Sequence, residues 1–390
     1  MSSEDVVWLQ LDKPLTVEAI QQILGQLTTL RYQPNESHFG NLENAASKKE
    51  FISFAEITDY ALGFGTEVPA EITRVMLLLL ADFTAKHPVS NGAAIINRIL
   101  EFYQFDVFPQ VFTRGLFASP TAHALLPIFS QSKVYYQGYL LNAADVHDIF
   151  SWQPVIWPAD FPASVQHISY LDLAVLVYTF IQFKQIRQYT QTLFAGNDYF
   201  LSAEEFFEEQ TNNLATQIQA AIALPEEHTT YVSGLGMQLN KLLAKFGEHI
   251  SDYFAEQGSS SPDYLIIKEN FKINLNLLPG LLKPLTQKNL VLIEENSQPT
   301  LNSSFVFGSA PLMQTYAILK NLEQTVALAT LLQLKPSQKK PESENFKNSS
   351  LANTYLNQVI SVLKEANFAD IIRQTVTFMY ATCKTYNLVA

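Results

Sequence analysis

The sequence predicts an all-α protein. A multi-helix bundle over residues 166–390 follows a smaller, Pro-rich helical region over residues 1–165. Two observations predict it. Apolar residues recur at helical spacing through most long segments, and the breaks between those segments fall at Gly, Pro, Ser and Asn, which punctuate helices. Strict alternation of apolar and polar residues, the mark of a half-buried strand, is confined to two short stretches of the second half.

In chain order, residues 71–86 (EITRVMLLLLADFTAK) read as a compact helix, stopped by His87-Pro88 and the turn Ser90-Asn91-Gly92. A second helix is expected over 93–105. From 106 to 166 the texture changes. Pro109, Pro120, Pro127, Pro154, Pro158 and Pro162 interrupt every periodic run, since proline lacks a backbone donor and its ring clashes with the preceding turn. Short helices and ordered loops are expected there, and Trp152 and Trp157 argue for their burial. Residues 169–194 read as one long helix ended by Gly196. Ser202 reads as the N-cap of the next, with Glu205 completing a capping box, and that helix stops at Pro225. Residues 226–257 form another, with Leu235, Leu239, Leu242 and Leu243 on one side, closed by residues 258–262. The two alternating stretches, 271–277 and 289–293, read as strands. Residues 311–334, 351–366 and 368–387 are the closing helices, around a Lys/Glu/Ser/Pro-rich loop at 335–350. No internal repeat is visible.

Composition narrows the function classes. The single cysteine, Cys383, excludes a disulfide framework, a four-cysteine zinc site and a CxxC redox pair. With 25 basic against 37 acidic residues and a net charge of −12, the chain lacks the cationic surface that nucleic acid requires. The most apolar stretches, 75–80 and 170–183, fall short of the ~20 residues of a membrane span. The opening MSSEDVVWLQLDKPL has no basic n-region, so a cytoplasmic location is expected, although export by a C-terminal signal would leave the same features. Trp8, Tyr135 and Tyr136 belong either to an interface or to the core, and the oligomeric state stays open.

Catalytic motifs are sparse. The seven histidines form neither HExxH nor ExxH. Asp145-Val146-His147-Asp148 holds three ligand types in four residues, and an acidic helix start is the favoured reading. His249 and Asp252 read as a surface ion pair. Gly63-Phe64-Gly65 and Gly234-Leu235-Gly236 lack the third glycine of a dinucleotide loop, and no P-loop or GxSxG occurs. A Ser/His/Asp triad assembled in space stays open. Asn197-Asp198 with Glu205 resembles the second metal motif of all-α terpene synthases, but no DDxxD precedes it. Glu204, Glu205, Glu208 and Glu209 read as a helix start facing solvent.

Three places in the second half follow one another in a known order. They are Ser261-Pro262-Asp263-Tyr264-Leu265-Ile266, the run Phe305-Val306-Phe307-Gly308-Ser309-Ala310 before a long helix, and the closing Cys383-Lys384-Thr385-Tyr386-Asn387-Leu388. This order resembles the indoleamine 2,3-dioxygenase superfamily of haem dioxygenases. The resemblance implies that Gly308, Ser309 and Ala310 line a substrate pocket over haem. It implies that Asn270 stands where an arginine pairs with the substrate carboxylate, with Lys268 or Lys272 as substitutes. It puts Asn387 where the axial histidine binds iron. A carboxamide is a poor axial donor, so haem is doubtful or is held instead by His228 or His249. The function implied is binding or oxidation of an indole-type or other aromatic small molecule. The alternative is a non-enzymatic helical interaction protein, an effector or a biosynthetic accessory.

Overall fold

A computed structural model describes residues 6–9, 15–25, 29–32, 50–87, 89–256, 264–268, 271–274, 277–296, 310–333 and 368–385. Helices dominate these residues, as the spacing predicts. The first part of the chain carries α1 (Val17–Gly25), α2 (Phe54–Asp59), α3 (Ala70–Lys86), α4 (Gly92–Gln104), α5 (Ser119–Leu125) and α6 (Ala143–Ile149). Longer helices follow: α7 (Tyr170–Leu193), α8 (Asp198–Ala223), α9 (Pro225–Glu256), α10 (Pro279–Asn296), α11 (Ala310–Gln333) and α12 (Phe368–Thr385). Among the described residues no helix is long and apolar enough to cross a membrane.

The chain divides into two compact units. One comprises residues 1–178, 215–236 and 300–313, and the other 179–214, 237–299 and 314–390. The core of the first is α3, whose residues from Val75 to Ala85 are all buried. A helix that is apolar on every side must lie inside. Its one buried acid, Asp82, meets Lys86 at 2.5 Å and accepts the Leu15 N–H at 3.3 Å. Burial raises the Asp82 pKa, against the pull of Lys86. The Lys86 ammonium also reaches the Ile222 and Ala223 carbonyls at 3.4 and 3.5 Å, where α8 ends and its last carbonyls have no helical partner. Aromatic rings of Phe83, Phe161 and Tyr170 fill the space beside α3.

Short strands, absent from the sequence reading, tie the loops of this unit together. β1 (Val6–Leu9) pairs in parallel with β2 (Thr29–Tyr32). β3 (Gly63–Glu67) pairs antiparallel with β5 (Phe112–Gly115), Gly63 opposite Gly115. β4 (Phe108–Pro109), β6 (Lys133–Tyr136) and β7 (Tyr139–Asn142) form a three-stranded sheet. None exceeds five residues, too short for alternation to show against the prolines.

In the second unit, β8 (Tyr264–Lys268) and β9 (Phe271–Asn274) make an antiparallel hairpin. The strand expected over 271–277 is therefore present in its first four residues. The strand expected over 289–293 is instead part of α10. Its buried side is Leu282, Thr286 and Asn289, with Leu278 just ahead of the helix, a helical spacing that is hard to see because two of the three are polar. Asn289 is fully buried and accepts a hydrogen bond from Asn321 at 2.8 Å, while Leu290 and Val291 are exposed.

The capping box expected at Ser202 is also corrected. α8 begins one turn earlier, at Asp198, with the Asn197 side chain accepting the Tyr199 N–H at 3.0 Å. Ser202 lies inside the helix and donates to the Tyr199 carbonyl at 2.8 Å. Asparagine caps as well as serine, and Gly196 at φ +79° has already ended α7. A full capping box does exist at Ser53 and Glu56, opening α2. The loop at 335–350, the helix at 351–366 and the turn at 258–262 lie outside the described residues.

Gly115 has φ +156°, and an added Cβ would come 2.5 Å from the Leu62 carbonyl oxygen and 2.7 Å from Ser119 Oγ. We predict that Gly115→Ala destabilises the protein by about 3 kcal/mol, read as a lower urea midpoint. An unchanged midpoint would mean that this corner does not pack so closely.

Candidate functional site

The β3–β5 pair ends where α5 begins, and this corner holds the most unusual polar groups of the first unit. Ser119 is wholly buried and His123 is buried one helical turn later, on the same face of α5. Among the described residues neither Ser119 Oγ nor either ring nitrogen of His123 has a hydrogen-bond partner. A buried polar atom without a partner costs about 1–3 kcal/mol. The walls are close: a Cβ built on Gly63 would stand 2.6 Å from His123 Nε2, and the Phe112 ring meets the imidazole edge-on at 5.3 Å. Burial lowers the His123 pKa, so the ring is neutral at pH 7.

The backbone here is an ordinary helix start. Ser119 N–H donates to the Leu116 carbonyl and Ala122 N–H to the Ala118 carbonyl, both at 2.9 Å. Pro120 occupies the first turn, where a missing N–H does no harm.

A second polar cluster surrounds His147. Its Nε2–H donates to the Pro127 carbonyl at 2.9 Å, which leaves Nδ1 to accept from Arg98 and Ser130, each at 2.8 Å. The Arg98 guanidinium lies 4.8 Å over the Trp152 ring, and its Nη2 donates to the Gln153 carbonyl. Burial first, and then the Arg98 charge, push the His147 pKa down to about 4. Of the expected acidic helix start, Asp145 keeps its place in the first turn, while His147 turns inward. Among the described residues no group of three or more His, Cys, Asp or Glu side chains could hold a metal.

Two cavities lie one in each unit. The first, about 230 Å³, is lined by Asp82, Lys86, His87, Tyr170 and the end of α8. The second, about 200 Å³, is walled by Phe194, Phe200, Phe207 and Phe246, with Arg187, Glu204 and His249 among its polar groups. His249 was expected as a surface ion pair or a haem ligand. Its ring stacks on Tyr199 at 4.4 Å and 9°, and burial lowers its pKa. Arg187 pairs with Glu204 and lies 3.8 Å from Glu208, so Glu204 serves this contact rather than a bare helix start.

Of the remaining candidates, Asn270, Gly308, Ser309 and Asn387 lie outside the described residues. Ala310 is the first residue of α11 and His228 lies in α9, and the side chains of both are outside the described set. Cys383 is buried, its Sγ–H donating to the Gln185 carbonyl at 3.3 Å, and burial raises the thiol pKa to about 11.

A protein-family model described as aromatic amino acid lyase matches residues 37–221, just under half of the chain. Histidine ammonia-lyase of Streptococcus pyogenes serotype M49 (strain NZ131) is 28% identical over 118 residues, which cover 28% of this chain and 23% of the relative. The match thus spans less than a quarter of that relative's length. In structure, the chain is similar to histidine ammonia-lyase from Trypanosoma cruzi, with TM-score 0.71 and 12% identity over 98% of this chain and 95% of that one. It is likewise similar to tyrosine aminomutase from Streptomyces globisporus, with TM-score 0.70 and 10% identity over 98% of each. The fold is therefore the one these lyase and aminomutase structures share. These matches overturn the resemblance to haem dioxygenases, and with it haem, oxidoreductase chemistry and the enzyme class drawn from it.

Lyases of the matched family carry the MIO prosthetic group, formed from an Ala-Ser-Gly tripeptide. No Ala-Ser-Gly occurs anywhere in the 390 residues, so the residues present do not fit that group. The sequence reading passed over Ser119. Its only signal was the dipeptide Ala118-Ser119 in front of a proline, and its buried, unpartnered state is visible only in three dimensions.

The folded-state pKa of His147 lies below the ordinary histidine value of 6.5. Its contribution to stability is therefore complete above pH 6.5 and is lost as pH falls toward 4. Asp172, half-buried and accepting a hydrogen bond from Ser169, has its pKa raised to about 6 by desolvation and gains a contribution over much of the same interval. We predict that the His147→Gln variant has a shallower fall of urea midpoint than wild type between pH 7 and 4.5. Parallel curves would remove His147 as the titrating group.

Proposed function

We propose that this chain takes histidine or an aromatic amino acid as its ligand, in the lineage of the ammonia-lyases and aminomutases. The observation that carries the reading is the family match over residues 37–221, the stretch that holds the Ser119–His123 corner. The shared fold supports it. The ligand class accords with the relatives, whose names are histidine ammonia-lyase and tyrosine aminomutase.

This chain's own residues supply two kinds of group for such a ligand. Neutral His123 keeps one nitrogen able to donate and one able to accept, and Ser119 keeps a hydroxyl that can do either. Both lack partners among the described residues, so a ligand that reached them would satisfy groups now left bare. Gly63 and Gly115 hold the walls close, which favours planar, narrow groups over branched ones.

The test is thermal unfolding with L-histidine, L-phenylalanine and L-tyrosine, with L-leucine as the control. A ligand at a hundred times its Kd adds about 2.7 kcal/mol of stability, enough for a clear rise in Tm. A rise with histidine or an aromatic amino acid and none with leucine is expected. No rise with any of the three would remove the reading.

A further inference from the structure

We infer that Ala118-Ser119-Pro120 is the seat of the family's electrophile, and that Pro120 keeps it an unmodified peptide with Ser119 as a free hydroxyl. Three observations converge on this tripeptide. The chain has three Ala-Ser dipeptides, at 46–47, 118–119 and 163–164. All three fall inside the family match. Of the two described, 118–119 and 163–164, only 118–119 has a wholly buried serine whose oxygen has no partner among the described residues. The same serine sits against Gly115, close enough that even a methyl group there would collide with it.

The chemistry shows why this tripeptide is blocked. Building the imidazolone ring joins the backbone nitrogen of the third residue to the carbonyl carbon of the first. The nitrogen gives up its hydrogen and the serine N–H gives up another, and both leave with the carbonyl oxygen as water. The serine then loses its hydroxyl and its Cα hydrogen as a second water, leaving the methylidene. At Pro120 the first step fails. The proline nitrogen already bears three carbon substituents and no hydrogen. A further bond would leave a cationic nitrogen with no proton to release, so the neutral ring cannot form.

The local fold adds a second obstacle. The Ala118 carbonyl that would be attacked is engaged in the first helical hydrogen bond, from Ala122 N–H at 2.9 Å. Proline in the first turn favours that helix start, since its φ is already helical. The corner thus keeps the serine of an electrophile site and lacks the step that would convert it.

The inference shares the family match with the ligand reading above, but its readout does not require a ligand. Trypsin cuts after Arg114 and Lys133 and releases residues 115–133 as one peptide. Its mass in the wild-type protein is expected to be that of the unmodified peptide, the sum of its residues plus the water of its termini, with no near-ultraviolet band from an imidazolone. A deficit of one or two waters in the wild type would overturn the inference. In Pro120→Gly the tripeptide becomes Ala-Ser-Gly, and the peptide is expected to lose two waters. The Ser119→Ala/Pro120→Gly double variant is expected to keep its full mass. A Pro120→Gly protein with wild-type circular dichroism and full peptide mass would overturn the assignment of this seat. Wild-type mass without any amino-acid binding would sink the ligand reading alone.

Discussion

The close approach of β3 and β5 at Gly63 and Gly115 is the constraint on which the first unit's polar corner depends. Both positions lack a side chain because the space above them is taken, by His123 at one and by Ser119 and a backbone carbonyl at the other. Where two strands and a helix meet so tightly, no side chain from either strand position can reach in to pair with them. The bare state of Ser119 and His123 is thus a result of packing. The buried helix α3 and its rings of Phe83, Phe161 and Tyr170 supply the apolar mass beside which such a corner can persist. Unpartnered groups of this kind tend to survive where function requires them.

Much of the helical fold was legible in the sequence, because α3, α4, α7 and α9 are long runs with apolar residues at helical spacing, and α3, α7 and α9 are followed within three residues by Pro or Gly. What escaped has particular causes. α10 hides its buried side behind Thr286 and Asn289, which pair or bury without being apolar. The strands of the first unit are held by pairing partners some fifty residues away, as Gly63 is by Gly115, and no local pattern marks them. The site escaped for another reason. The residues first singled out, at 270, 308–310 and 387, belong to short strings of common residue types. The similarity to lyases is thin, 28% identity over 118 residues in one relative, and the family match over residues 37–221 takes in the proline-broken stretch that carries the weakest local pattern.

The two clusters of the chain handle charge differently. In the first unit, Arg98 is satisfied by Glu101 at 2.7 Å, by the Gln153 carbonyl and by a neutral His147, over an indole face. Such an arrangement makes a fixed cation part of the core. In the second unit Arg187 faces a cavity lined by four phenylalanines, and Glu204 accepts its hydrogen bond. Asn197 and Tyr253 close the adjoining turn with a 2.9 Å hydrogen bond, beside the stacked rings of Phe194 and Phe200.

The lone thiol has a practical reach. Cys383 sits at 0% exposure with its proton held toward the Gln185 carbonyl, so at neutral pH almost none of it is thiolate. Maleimides therefore find no native thiol within reach on the folded chain. A single cysteine engineered at any solvent-facing position becomes the only address for a fluorophore, a spin label or a crosslinker, with the native residue left in place.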